Sequence, residues 1–533
     1  MAKGCLDQTE RRLSRNGVLR GRYENEMEEI LRNYSEVVPD DEIGRSDGKV
    51  WYLPHHAVLN PKKPEKTRIV WNASMRYKGT SLNDQIHQGP DLTNTLIGVL
   101  LRFRQERVAF MADIRSMYNM TLVDKDDRDV LRFLWWEGGD MTTVPKVYRM
   151  KTHLFGGIWS PSCANYALKR TARDNKHLYS TETVDTVERS FYVDDCLKSV
   201  PTETDGIRLA TDLNELLKRG GFNLTKYVSN SRALMKALPE SELCKGVKQL
   251  DLDHADLPNE RALGMIWDVE NDTFQTSVSI QDRPLTKRGV LSVLSSVYDP
   301  MGICSPFVLN AKMIFQNLSR LKLGWDEEIP DDQKEQWVRW CDDLRRLEDF
   351  KVPRCLKPDE FGPLQHCQLH HFADASQSAY GVTSYVRLED VQGRVHCSLL
   401  MAKAKLAPLK TVTIPRLELT AAVEAVKLDK YVKGELEIPI HETVFWTDSM
   451  IVLHYLNNED KRYQTFVANR VAKILESTQP SQWRGLPNLR ATCQKSQESR
   501  ATRARVKSQI LAKKVWLLSL MMIIIIIGSP RPS

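Results

Sequence analysis

Two adjacent aspartates, Asp194 and Asp195, interrupt the otherwise apolar stretch SFYVDDCLKSV at residues 190–200. Carboxylates this close repel one another, and burying either is costly unless a positive charge compensates it. The apolar segments on both sides predict two strands hinged at the pair, which is a β-hairpin. A divalent cation would remove the repulsion, and Mg²⁺ prefers carboxylate oxygens. The simpler alternative is that the dipeptide only makes a favourable turn.

A third acid favours the metal-binding alternative. Asp113 lies in FMADIRSMY, where an alternating strand pattern gives way to a helical one. If this strand lies beside the hairpin, three carboxylates converge and can hold two metal ions about 4 Å apart. Such a pair can activate a 3′-hydroxyl for attack and stabilise a leaving pyrophosphate.

The composition is that of a globular protein with substantial cores. Of its 533 residues 41% are hydrophobic and 27% charged, and the net charge of +7 permits a polyanionic partner. Ten cysteines without a C-x-x-C pair, and a charged N-terminus without a secretory signal, predict an intracellular, cytoplasmic protein. The apolar run 515–528 is shorter than the ~20 residues of a membrane span, so we expect no membrane contact.

The apolar pattern divides the chain into five segments and predicts an α+β fold. The first is a charged helical lead-in, the second a mixed α+β domain and the third a helical module. The fourth runs strand, helix, strand, and the fifth is a basic, aperiodic tail that is expected to be disordered. Their bounds are 1–44, 45–280, 281–360, 361–480 and 481–533. In the fourth, apolar residues three or four apart predict an amphipathic helix: Leu417, Ala421, Ala425, Leu428 and Val432.

The hairpin and the strand before it resemble the palm of a reverse transcriptase. YVDD is that family's signature, and ADIRSMY is similar to its first aspartate motif. Four further stretches, in the same order, are similar to the polyprotein of BEL/Pao long-terminal-repeat retrotransposons: YLPHHAVLNP, SLNDQIHQGPDL, TKRGVLSVLSSVYDPMGICSP and IPRLELTAA. The resemblance implies reverse transcriptase fingers and palm at 45–280, a thumb-like connection at 281–360 and a ribonuclease H-like α/β domain at 361–480.

The resemblance implies an RNA-directed DNA polymerase that holds two Mg²⁺ ions, or Mn²⁺ in their place, at Asp113, Asp194 and Asp195. Its partners would be an RNA or DNA template–primer duplex, held mostly through backbone and shape, and deoxynucleoside triphosphates. If the element is active, the protein would be associated with a particle.

Other residues take roles from the same resemblance. Arg68 in KTRIVWNAS would grip the incoming triphosphate, which suits the fork of a guanidinium. Tyr118 would be the aromatic gate that clashes with a ribose 2′-hydroxyl, and Tyr192 of YVDD would also contact the nucleotide. Lys226 would protonate pyrophosphate. Alone, such an arginine is more often solvated and such a tyrosine more often part of a core. Phe155 in LFGGIWSPS departs from the family, in which many members carry Gln.

Three acids of the fourth segment, Asp374, Glu418 and Asp448, lie on a strand, in an early helical turn and at a strand end. This arrangement resembles ribonuclease H, which implies that they bind two metal ions and direct water onto the RNA strand of a hybrid. Separately, each is compatible with a capping or surface role. The family's fourth acid, in an Asn-Pro-Ala-Asp context after Trp483, is missing here, which predicts an impaired nuclease.

The tail after Trp483 is interpreted as the product of a frameshift or a misjoined exon, in preference to a tail anchor or a basic nucleic-acid-binding arm. The family's segment around YDPMGICSPF is sometimes catalogued as a peptidase. An aspartic protease needs an Asp-Thr-Gly or Asp-Ser-Gly loop, and the sequence contains neither. We therefore expect no protease activity from this chain.

Two other functions stay open. A decayed or domesticated retroelement product would bind nucleic acid or partners without catalysis. A DNA-templated or template-independent polymerase would share the two-metal palm. The sequence leaves the primer and the oligomeric state undetermined.

Overall fold

The chain folds into mixed helix-and-sheet layers, as the α+β prediction requires. The structure is a computed structural model. It describes residues 1–45, 48–60, 63–248, 250, 252, 256–278, 283–458 and 462–486. Within these residues no helix is both long and apolar enough to cross a membrane. The apolar run 515–528 lies outside the described residues.

The N-terminal helices share a core with the first strands. The elements here are α1 (Ala2–Ser14), α2 (Gly17–Asn33), β1 (Ser35–Val37), α3 (Asp40–Ile43), β2 (His55–Asn60), β3 (Lys63–Trp71), α4 (Leu82–Gln85) and α5 (Leu96–Phe103). Asn16 caps α2 by accepting from the Leu19 amide at 3.0 Å. Tyr23 of α2 stacks on Trp135, with ring centroids 5.4 Å apart, inside a cluster that also holds Trp71 of β3. The segment predicted as a lead-in is therefore packed into the layer that follows it.

The next elements build the sheet that carries the Asp-Asp pair. They are β4 (Val108–Ile114), β5 (Arg132–Trp135), β6 (Lys146–Met150), α6 (Ser160–Asp174), α7 (Thr181–Arg189), β7 (Phe191–Tyr192), β8 (Asp195–Val200), α8 (Glu203–Arg219), β9 (Leu224–Ser229), α9 (Arg232–Ala237) and α10 (Lys245–Lys248). β1, β6 and β5 form one antiparallel sheet, and β2 pairs with β3. The hairpin sheet has the order β7-β8-β4-β9, all antiparallel. Phe110, Leu197 and Leu213 of α8 are completely buried in its core.

The predicted helical module is mainly helical but ends in a strand. Its surroundings comprise β10 (Asn259–Ala262), β11 (Met265–Asp268), β12 (Thr273–Gln275), α11 (Lys287–Leu294), α12 (Ser305–Arg320), α13 (Asp331–Arg345) and β13 (Lys351–Pro353). Trp337 and Trp340 stack with centroids 5.0 Å apart inside the cluster that joins the three helices. β13 pairs with β12 and completes the sheet β10-β11-β12-β13. The strand was not expected from the helical spacing, because its partner lies about 80 residues earlier.

A five-stranded sheet covered by a long helix forms the last layer. Its elements are β14 (Leu364–Ala375), β15 (Ala379–Asp390), β16 (Val395–Leu406), α14 (Ile414–Glu435), β17 (Glu442–Thr447), α15 (Met450–Leu456), α16 (Thr465–Leu475) and β18 (Trp483–Gly485). The order is β16-β15-β14-β17-β18, antiparallel across the first three strands and parallel for β17 and β18. α14 packs across β14 and β15. It is the predicted amphipathic helix, and the five apolar residues listed for it are all buried.

The predicted start of the tail is wrong by several residues. β18 lies within the segment 481–533 that was expected to be disordered, yet Trp483 is buried and stacks on Phe445 at 4.7 Å between centroids. The strand forms because it pairs with β17 and covers an aromatic ring, which the local sequence pattern does not reveal. The remainder of the predicted tail, 487–533, lies outside the described residues.

Two buried arginines connect neighbouring layers: Arg104 binds the five-stranded sheet, and Arg354 joins the end of α5 to the turn between β11 and β12. Arg104, 1% exposed, donates to the Leu399 and Leu400 carbonyls of β16 at 2.8 and 3.0 Å. Arg354, fully buried, forms a bidentate pair with Asp272 at 2.6 and 2.7 Å and donates to the Phe103 carbonyl at 2.6 Å. One hydrophobic cluster runs through both halves without interruption. The two sheets therefore form one packed body.

Candidate functional site

The tip of the hairpin is a two-residue turn. Tyr192 pairs with Asp195, so the turn consists of Val193 and Asp194. Val193 has φ +57°, a region that a β-branched residue rarely adopts and that a hairpin turn usually fills with Gly. The predicted hairpin is confirmed, but its turn precedes Asp195 and its first strand has two residues, because Thr181–Arg189 is helical. The strained turn presents both aspartates at the end of the sheet.

The register between β4 and β8 places Asp113 beside Asp194 and Asp195. It lies directly opposite Asp195 on neighbouring antiparallel strands, where opposed Cα atoms are typically about 4.5–5.5 Å apart. The Ile114 amide also donates to the Asp194 carbonyl at 2.8 Å. β4 and the hairpin are therefore neighbours, as the sequence analysis required, and the three acids meet at one end of the sheet.

Lys226 is directed at this cluster by a β-bulge. In the pairing of β4 with β9, Met111 faces Val228 and Asp113 faces Thr225, so two residues of β9 oppose one of β4. Lys226 has φ +58° there, and its ammonium donates to Asp113 Oδ1 at 2.7 Å. The bulge thus supplies one positive charge to a site that holds three carboxylates.

The carboxylates are electrostatically frustrated. Burial, followed by repulsion from Asp194 and Asp113, raises the pKa of Asp195 to about 7, although Lys226 opposes the shift. Burial and Asp113 also raise the pKa of Asp194, against the charges of Lys226 and Arg68. Hard carboxylate oxygens with excess negative charge are a donor set that fits Mg²⁺. Among the described residues, however, no group of three or more His, Cys, Asp or Glu side chains is arranged so that it could hold a metal ion. Asp113 is engaged by Lys226 instead.

An aromatic and cationic group lies next to the acids. The Arg68 guanidinium, exposed on β3, lies 4.7 Å from the centroid of the Phe155 ring. The Tyr118 ring lies 4.9 Å from the same centroid, and burial followed by the charge of Asp194 raises the Tyr118 pKa. The predicted nucleotide residues Arg68 and Tyr118 therefore meet through Phe155. Tyr192 is half-buried and packs against the main core.

The second predicted set of acids also comes together. β14 and β17 are parallel, and Ala373 pairs with Thr447, so Asp374 and Asp448 follow at the same edge of the sheet. Both are exposed. Glu418 lies in the second turn of α14, and its Oε2 accepts from the Ser449 hydroxyl at 2.6 Å. That hydrogen bond ties Glu418 to the residue that follows Asp448.

One chemically suggestive cluster was missed by the sequence analysis. The His371 ring lies between the Ser384 hydroxyl, 2.7 Å from Nδ1, and Asp429 Oδ1, 3.1 Å from Nε2. All three residues are at most 5% exposed, so no substrate can reach them. Burial lowers the pKa of His371 although Asp429 opposes it. The cluster joins β14, β15 and α14 and is structural, despite its serine–histidine–aspartate composition.

A family model matches a segment in the second half of the chain. Residues 286–449 match the Pao retrotransposon-like RNaseH-like domain. The match begins at the N-cap of α11 and contains Asp374, Glu418 and Asp448. No curated protein matches the sequence.

Solved structures share the fold. The foamy viral protease-reverse transcriptase in complex with dsDNA has a TM-score of 0.52 at 14% identity; the match covers 88% of this chain and 83% of that one. The same protein in complex with RNA/DNA hybrid, and its dRH form with ds DNA, give 0.50 and 0.51 at 15% identity. Each match covers 82% of this chain, which spans 51% and 66% of those two chains. Residues 286–449 are therefore similar to the Pao retrotransposon-like RNaseH-like domain, and the fold of the chain is similar to that of the foamy viral protease-reverse transcriptase.

Proposed function

We propose that the chain is an RNA-directed DNA polymerase that works by two-metal nucleotidyl transfer. The observation that carries the proposal is the strand register that sets Asp113 opposite Asp195, with Asp194 beside them at a strained tip. Keeping three carboxylates together at the end of a sheet is unfavourable unless a cation uses them. Burial, followed by the charges of Asp194 and Asp113, raises the pKa of Asp195 to about 7, in keeping with that cost.

Asp113, Asp194 and Asp195 would hold Mg²⁺. When bound, the ions activate the 3′-hydroxyl of the primer and neutralise charge on the triphosphate. Lys226 balances the charge of Asp113 before the cation binds, and its ammonium would then be released to donate a proton to the departing pyrophosphate. Arg68 offers its guanidinium fork to triphosphate oxygens. Tyr118 closes the sugar side of the site to a 2′-hydroxyl.

The proposed partners are a template–primer duplex and deoxynucleoside triphosphates. The solved structures of like fold are complexes with double-stranded DNA and with an RNA/DNA hybrid. We extend duplex binding to this chain on the strength of that fold.

For the second site we propose metal-dependent cleavage of the RNA strand of a hybrid, weakened by the missing fourth acid. Asp374, Glu418 and Asp448 would be the metal ligands and Ser449 the residue that orients Glu418. The exposure of Asp374 and Asp448 supports this role, because a duplex substrate has to reach the metal-binding carboxylates from solvent.

Primer extension tests the polymerase proposal. Native protein, Asp194→Asn and Asp185→Asn would be assayed on a DNA-primed RNA template with Mg²⁺. Asp185 is an exposed acid of α7 and serves as the matched control. We expect Asp194→Asn to lose at least about 10³-fold in rate and Asp185→Asn to retain native activity. Equal background incorporation in all three would overturn the proposal and leave a nucleic-acid-binding remnant. Faster extension on a DNA template would indicate a DNA-templated enzyme.

A further inference from the structure

Phe155 occupies the point where the two proposed nucleotide contacts meet. The centroid of its ring lies 4.7 Å from the Arg68 guanidinium carbon and 4.9 Å from the centroid of the Tyr118 ring. Phe155 is only half-buried, so its ring borders the open site while it supports these two neighbours. An apolar ring cannot hydrogen-bond to the sugar or the phosphates. The contacts that it makes in this structure are with the groups beside it, Arg68 and Tyr118.

The backbone around Phe155 is fixed to the strand that carries Arg68. The Trp71 amide of β3 donates to the Phe155 carbonyl at 3.0 Å. Gly156 has φ +114°, and a Cβ there would lie 1.9 Å from the Trp71 carbonyl oxygen, so only glycine fits. Asn83 accepts from the Ile158 amide at 3.2 Å on the far side of the turn. The ring therefore has a defined position relative to Arg68.

We propose that Phe155 is a positioning residue that couples triphosphate binding to sugar selection. The inference rests on the proposed polymerase function and adds its specificity-determining residue. Phe155 holds the Tyr118 ring against the space that a ribose 2′-hydroxyl would need, and stacks on Arg68 so that its fork faces the phosphates. Without the ring, Tyr118 gains rotamer freedom and the site admits ribonucleotides more readily.

The first test is single-nucleotide incorporation of dATP and ATP by native protein and Phe155→Ala. We expect the preference for dATP, as the ratio of kcat/KM values, to fall about tenfold, with KM for dATP raised and kcat changed much less. Phe155→Tyr should restore the native ratio because it keeps the ring. Tyr166→Ala, which removes an exposed aromatic side chain of α6, should leave the ratio unchanged. An unchanged ratio in Phe155→Ala would overturn the inference.

A double variant tests whether Phe155 acts through Tyr118. If it does, Tyr118→Ala with Phe155→Ala should show the same dATP-to-ATP ratio as Tyr118→Ala alone. Two fully additive losses would show that Phe155 acts separately, and would overturn the coupling. Both variants retain Asp113, Asp194 and Asp195, so loss of metal binding does not enter the comparison.

Equilibrium binding separates failure of this inference from failure of the polymerase. Native protein and Phe155→Ala would be bound to a duplex with a 3′-dideoxy-terminated primer, with Mg²⁺, and titrated with dATP and ATP. A native preference for dATP that Phe155→Ala abolishes supports the inference even if no extension is seen. Equal affinities of native protein for the two nucleotides would overturn it, whatever the extension assay gives.

Discussion

At the scale of single residues, the charge on Asp195 is set by its neighbours. Its folded-state pKa of about 7 lies above the ordinary aspartate value, because burial and two carboxylates disfavour the ionised form. Between about pH 4 and pH 7 the folded protein then binds a proton that the unfolded chain has released. By linkage, this group's contribution to stability falls as pH rises through that window.

We expect the melting temperature in EDTA to fall between pH 5 and pH 8, and less steeply in Asp195→Asn. At pH 8 Asp195→Asn should be more stable than native protein by about 1–2 kcal/mol. This figure is smaller than the full pKa shift of Asp195 would give, because the side chain is partly exposed to solvent. Added Mg²⁺ should raise the melting temperature of native protein at pH 8 more than that of Asp195→Asn. Thermal denaturation followed by circular dichroism measures both effects. Identical pH slopes for the two proteins would contradict the pKa assignment.

The residues that the sequence could reveal are those in contiguous motifs. Asp194, Asp195 and Asp113 were found because acids inside apolar strands are conspicuous. The pairing of Lys226 with Asp113 was not foreseen, because it depends on a bulge at a non-glycine residue with positive φ. Phe155 contacts Arg68 and Tyr118, which lie in two other segments of the chain, so the local sequence pattern could not predict these contacts.

At the scale of elements, the buried polar cluster under α14 fixes the helix on its sheet. Asp429 accepts from His371 of β14, from the Thr443 hydroxyl of β17 at 3.3 Å and from Lys433 at 2.8 Å. Removing it leaves several buried donors without an acceptor, which is costly in a low-dielectric interior. The apolar spacing of α14 predicted the helix, but the polar contacts of Asp429 could not be predicted, because His371 and Thr443 come from two other elements.

Asp429→Ala should therefore lower the free energy of unfolding by about 3–4 kcal/mol. Ser384→Ala, which removes only the hydroxyl at Nδ1 of His371, should cost about 1 kcal/mol. Urea denaturation followed by tryptophan fluorescence measures both values. A matched control is Asp326→Ala, since Asp326 forms only an exposed pair with Arg288 and its loss should leave the free energy of unfolding almost unchanged. Equal losses for Asp429→Ala and the control would rule out an anchoring role.

At the scale of the whole molecule, the segment boundaries of the sequence analysis do not mark separate bodies. The core is continuous from the hairpin sheet to the five-stranded sheet, and buried Arg104 connects the two parts through the Leu399 and Leu400 carbonyls. Glu435 at the end of α14 also pairs with buried Arg102. Composition shifts along the chain located the layers. The local sequence pattern could not show that Arg104 and Arg102 connect these layers, because their partners lie about 300 residues away in the sequence.

We expect native protein to unfold in one cooperative transition in urea. Arg104→Met should destabilise it by about 2–4 kcal/mol, because the Leu399 and Leu400 carbonyls lose a buried donor, and should separate the curve into two steps. Arg288→Met, at an exposed arginine, should keep the single transition. Far-ultraviolet circular dichroism and tryptophan fluorescence together resolve the number of steps. Two transitions in the native protein would show that the halves are independent.

The contact between Arg104 and β16 also bears on attempts to study the five-stranded sheet and its helices alone. β16 ends the five-stranded sheet, and its outer backbone groups are satisfied by Arg104 and by the Met301 carbonyl, which accepts from the Ala402 amide at 2.8 Å. If the preceding residues were removed, the outer backbone donors and acceptors of β16 would be unpaired and could pair with another strand. Copies of such a truncated protein should associate through their β16 edges in solution. A lysine or proline substituted into β16 should reduce this association.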